Sequence, residues 1–211
     1  MRYQPDQLNQ SSSKDKQLQP ISRIHFLIHP GFGSDPRVCE LANEERLKQS
    51  EDMLGKYANQ ARQMQPDEVM FAYVHSKPPE LRQDLKEGKP YTRSLRELKK
   101  ILDKRLIVLS DRIDIFDGDQ AINESRIIAQ LRGFIFNPGV ETVAYGETSY
   151  VCVPDAAINL NATANFQKPT KVLLGLTEAS LNPRGITGTR QYLTNQFKVH
   201  EHLLVFEWVN H

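Results

Sequence analysis

Six short, mostly apolar runs constrain this chain more than any other feature: RIHFLI (23–28), EVMFAYV (68–74), LIVLS (106–110), ETVAY (141–145), KVLLGL (171–176) and HLLVFEW (202–208). Each has the length of a strand, about four to eight residues, and each lacks the polar–apolar alternation of a strand with one wet face. Strands that are apolar on both faces belong to a parallel sheet covered by helices on both sides. The expected fold is therefore a three-layer, doubly wound α/β domain with a mostly parallel six-stranded sheet.

The segments between these runs carry helical signals. Asp35 followed by Pro36 is a good helix start, with Asp as cap and Pro at the first helical position. The helix it opens is expected to reach about Gln63, with Leu47, Leu54, Tyr57, Ala58 and Ala61 on one face. KPPELRQDLKEGKPY (77–91) reads as a charged surface loop with one turn of helix, and SLRELKKILDK (94–104) as an amphipathic helix. DQAINESRIIAQLRG (119–133), the stretch after the fourth run to about Ala164 and the residues near 187–198 read as further helices. Residues 1–20, rich in Gln, Ser, Asp and Lys, bury too little to offset the entropy of ordering and are expected to be a flexible tail. Residues 21–211 are then a single α/β domain.

Composition matters chiefly for what it excludes. Basic and acidic residues number 27 and 26, a net charge of +1, so no global field recruits nucleic acid or an anionic membrane. No apolar run approaches the roughly 18 residues of a membrane span. The N-terminal stretch lacks the apolar core of a secretory signal. Two cysteines, Cys39 and Cys152, make no disulfide framework, and the reducing cytosol is the expected compartment. Six scattered histidines, with only His200 and His202 close together, show no metal-site spacing; neither metal nor cofactor is expected.

In a doubly wound sheet, chemistry gathers at the carboxyl ends of the strands where the strand order reverses. Three loops are therefore of interest: HPGFGSD after the first strand, SDRIDIFDGD after the third and GETSYVC after the fourth. Cys152 stands at a strand-to-helix turn, where a helix dipole and free amides stabilise a thiolate and could hold an oxyanion. The competing reading is a small buried hydrophobe, and Pro154 leaves open whether the helix starts before or after the thiol. His29 could serve as a general base, and Gly31 and Gly33 could let backbone approach a ligand. The loop lacks the third glycine of a dinucleotide fingerprint and the GK[ST] of a phosphate loop. Asp111 could orient a histidine or a substrate amine, while Asp114, Asp117 and Asp119 lack calcium-loop spacing. His75 reads as a rim histidine.

Gly146, Ser149, Cys152 and Val153, followed by DAAINLNATANF and KVLLGLTEAS, give the stretch 141–180 a likeness to a known family. It resembles the isochorismatase-like, or cysteine, hydrolases, in which a strand leads into G-x-x-[ST]-x-x-C-V and an Ala-rich helix. The resemblance implies a Rossmann-like three-layer fold, a cysteine nucleophile, a small-molecule substrate with an amide or related C–N bond, and self-association. Amidase-type members pair the cysteine with an Asp after strand one and a Lys after a middle strand. Here the corresponding positions offer His29, and then Ser110, Asp111 and Arg112. On this reading Cys152, His29 and Asp111 are catalytic, and Gly31, Gly33, Ser110, Gly146 and Ser149 line the substrate. The alternative is a family member without catalysis, acting as a binding or assembly module.

Overall fold

The computed structural model describes residues 20–31, 44–74, 78–109, 136–147, 152–177 and 185–209. Residues 1–19 and the helix expected at 119–133 lie outside this set. Six strands, β1 (Ile21–Ile28), β2 (Glu68–Tyr73), β3 (Leu106–Leu109), β4 (Phe136–Gly146), β5 (Thr170–Thr177) and β6 (Leu204–Glu207), form one sheet in the order β3-β2-β1-β4-β5-β6. Every pairing is parallel, as the apolar runs require. The described helices are α1 (Glu44–Gln63), α2 (Pro78–Glu87), α3 (Pro90–Leu102), α4 (Cys152–Ala164) and α5 (Gly185–Gln196).

Two apolar clusters sandwich the sheet. On one face Phe26, Phe71 and Val172 pack with Val153, Ala156 and Leu160 of α4 and Leu193 of α5. On the other, Leu27, Met70 and Tyr145 pack with Tyr57 and Ala61 of α1 and with Leu95 and Leu98 of α3. Right-handed crossovers explain the division, because the chain steps one way from β1 to β3 and the opposite way from β4 to β6. β6 departs from the expected two-faced burial: Val205 and Glu207 are exposed where Leu204 and Phe206 are buried. As the outermost strand, β6 meets a packed layer on one side only among the described residues.

Two boundaries differ from expectation. Residues 78–87 form a ten-residue helix rather than a loop with one turn. Pro78 and Pro79 open it, where no amide donor is needed, and Leu81 and Asp84 are buried along it. β4 begins at Phe136, well before Glu141. Ile21 pairs with Phe136 but Arg23 with Glu141, so β4 takes up the Pro138–Gly139 breaker as a bulge instead of ending at it.

Polar groups stitch the strands together near the amino ends of β1, β2 and β5. Across the α1 face, Glu68, Arg23, Glu141, Lys171 and Glu207 alternate in sign, with ion pairs of 3.2, 2.7, 2.6 and 3.3 Å in that order. Behind them His25 is fully buried, with Nε2 3.3 Å from Glu68 Oε2 and Nδ1 3.2 Å from the Tyr145 hydroxyl. A neutral imidazole satisfies both contacts, donating from Nε2 to the carboxylate and accepting the Tyr145 proton at Nδ1. On the opposite face Asn161 of α4 donates to the Lys168 carbonyl (2.7 Å) and to Thr170 Oγ1 (3.2 Å), and Thr170 also contacts Thr142. Asn161→Ala is expected to lower stability by about 1–2 kcal/mol, the worth of a buried side-chain hydrogen-bond pair. Urea denaturation would check it; a loss near zero would mean that water replaces the amide at no cost.

Candidate functional site

β1 sits at the centre of the sheet with β2 on one side and β4 on the other, so the chain leaves these strands toward opposite faces at their carboxyl ends, the place where doubly wound folds hold their ligands. His29 follows β1 directly. Its backbone is left-handed (φ 46°), uncommon outside glycine, and its amide donates to the Tyr73 carbonyl at 2.8 Å. Its side chain is buried with the strand ends. Gly31, also left-handed (φ 81°), completes the turn.

Glu147 binds the two loops together. Its amide donates to the Ile28 carbonyl at 2.9 Å, and its carboxylate accepts the Gly31 amide at 2.8 Å. At 1% exposure it is a buried acid at the sheet's switch point. Sequence reasoning passed over it. The available signal was an acidic residue placed directly after an apolar strand, beside a glycine.

Gly146 precedes it in a conformation only glycine readily adopts (φ 134°) and is paired with Ile28. A β-carbon there would lie 2.8 Å from the Ile28 nitrogen and 2.9 Å from its carbonyl carbon, and nearer still to its oxygen. This glycine lets β1 and β4 close on each other.

Cys152 is the first residue of α4, which resolves the question left by Pro154: the helix includes the thiol, and Pro154 occupies the third helical position. The thiol is half-buried against the α4-side core. Because Pro154 carries no amide hydrogen, the first-turn donors nearest the thiol are the amides of Cys152 and Val153. Asp155, also overlooked in the sequence, follows at the i+3 spacing that places two side chains on one helix face. Burial holds its carboxyl above the ordinary value, against a smaller opposing influence from His200.

Of the residues singled out by sequence, His29, Gly31 and Gly146 meet at the β1–β4 junction, and Cys152 opens the helix that packs on both strands. Gly33, Ser110, Asp111, Ser149 and His75 lie outside the described residues. Among the described residues no group of three His, Cys, Asp or Glu side chains could hold a metal ion, and no helix is long and apolar enough to cross a membrane. Compared with protein-family models and with curated proteins, the chain matches none.

Proposed function

We propose that the chain is an isochorismatase-like, cysteine-dependent hydrolase of a small amide or related C–N bond, working at the carboxyl ends of β1 and β4. The observation that carries this reading is the thiol on the first residue of a helix that starts beside the sheet's switch point. Cys152 would attack the substrate carbonyl carbon while His29 takes the thiol proton and then gives it to the departing amine. The amides of Cys152 and Val153 would hold the oxyanion, and Asp111 would orient His29 or the substrate. Water would then cleave the thioester, its proton passing through His29 back to the thiol.

The test is the rate of Cys152 alkylation by iodoacetamide at pH 7, read by intact mass in a Cys39→Ser background. His29→Asn suits the left-handed backbone, where Asn is tolerated. It is expected to slow the reaction by roughly tenfold or more if His29 draws the thiol proton. Small carboxamides should then release ammonia with wild type and not with Cys152→Ser. An unchanged alkylation rate would sink the hydrolase. That result would favour a binding or assembly module, a reading supported by how firmly Glu147 ties the β1 loop down.

A further inference from the structure

A second feature lies at the far edge of the sheet, with β2 and β1 between it and β4. There α2, α3 and β3 enclose an apolar groove of about 440 Å³. Leu106 of β3 forms part of its buried floor, while Leu85 of α2 and Val108 of β3 are part-exposed at its mouth. Its rim is basic, formed by Arg96, Lys99 and Lys100 of α3.

We propose that this groove binds an extended peptide of a partner protein, added as a strand to the β3 edge, in which every second residue faces α3 and is either apolar, entering the groove, or Asp or Glu, meeting its basic rim. Three observations converge. First, among the described residues β3 pairs with β2 alone, so the main-chain groups on its outer side are a template for another strand. Its sequence, LIVL, contains none of the lysines or prolines that commonly blunt such edges. Second, the side chains of an added strand would fall alternately on the two sheet faces, and those on the α3 face would enter the groove. Third, three cations stand at i, i+3 and i+4 on one helix, an arrangement that repels itself. Lys99 leans on Asp103 (3.7 Å) and Lys100 on Glu97 (3.5 Å), both exposed pairs worth little and easily exchanged. Arg96 has no acidic partner among the described residues. An acidic side chain on the bound strand relieves that repulsion.

The same features disfavour other occupants. A second copy joined edge to edge about a twofold axis would bring two basic rims together. An anionic lipid would suit the groove and rim but make no use of the β3 main-chain edge.

The test uses the full chain, immobilised and panned with a random twelve-residue peptide display library. Enriched peptides should carry apolar and acidic residues together on one strand face, at every second position. As synthetic, fluorescein-labelled peptides they should bind more weakly as salt rises, and roughly tenfold or more weakly to an Arg96→Glu/Lys99→Glu/Lys100→Glu variant. Val108→Glu, at a part-exposed position, should have the same effect. Both variants alter exposed or part-exposed side chains, and an unchanged thermal midpoint would show that the fold is kept. The proposal is overturned if no peptide is enriched, if those enriched show no acidic preference, or if both variants bind them as wild type does. It is equally overturned if a photo-crosslinker replacing Val108 joins this edge to residues 110–119 of the same chain or to a second copy, or if oleate displaces nothing but itself binds there.

Discussion

Gly146→Ala is expected to cost at least about 3 kcal/mol, enough to leave much of the protein unfolded near 40 °C. Two effects add. The backbone at φ 134° lies where L residues carry about 1–3 kcal/mol of strain. The new methyl would also meet the Ile28 main chain, which is held in place by its pairing with Gly146 and by the Glu147 amide. Relief requires β1 and β4 to separate at the carboxyl end, and that displaces the Glu147–Gly31 bond as well. Urea denaturation of the variant measures the loss. A cost under about 1 kcal/mol would mean that the two strands part there without consequence.

Glu68→Ala should be nearly as damaging, at about 3–4 kcal/mol, because it strands a buried donor and removes an ion-pair partner together. The carboxylate takes a hydrogen bond from buried His25, another from the Gln65 amide at 3.1 Å, and the nearer end of Arg23. Glu68→Gln, which keeps an oxygen for His25, should cost markedly less. If the two variants proved equally stable, the carboxylate would be adding nothing that solvent does not supply.

The same cluster sets how stability responds to acid. Burial holds the His25 imidazole below its ordinary value of 6.5, outweighing the attraction of Glu68. As pH falls through 6.5 the unfolded chain takes up this proton while the folded chain resists it, so stability declines from there downward. Burial pushes Glu68 up, but the hydrogen bonds of His25 and Gln65 and the charge of Arg23 bring it below its usual 4.5. Glu141 is lowered likewise by Lys171 and Arg23, against its burial. Both carboxylates add stability above pH 4.5, and it is lost as acid protonates them. Thermal midpoints should therefore fall in two stages, and His25→Gln should remove the first. A midpoint flat between pH 7 and pH 5 in wild type would refute the assignment of His25 as neutral.

The sheet was legible in sequence because each strand announces itself locally: FAYV or VLLGL needs no distant partner to read as buried and extended. The layers then follow from crossover handedness. What sequence obscured depends on partners far along the chain. Glu147 looks like an ordinary loop acid until Gly31, 116 positions earlier, supplies its buried hydrogen bond. Asp155 looks like a helix-start acid until its position in the packed layer is known. The helix at 78–87 was hidden for the opposite reason, since its prolines and charges resemble a loop while its buried positions are few. Cys152 was legible as a candidate, and its place on the first residue of α4 came only from the structure.

The central position of β1 also bears on the order in which this chain can assemble. β1, β2 and β3 are complete once residue 109 has been made, but the other edge of β1 waits for β4; His25 and Tyr145, joined in the folded protein, are 120 residues apart. Closing so long a loop makes the β1–β4 union a late and slow event. Until then one flank of a strongly apolar strand stays open to any neighbouring chain, so variants that delay this union should reduce the yield of native protein more than their equilibrium stability alone would indicate.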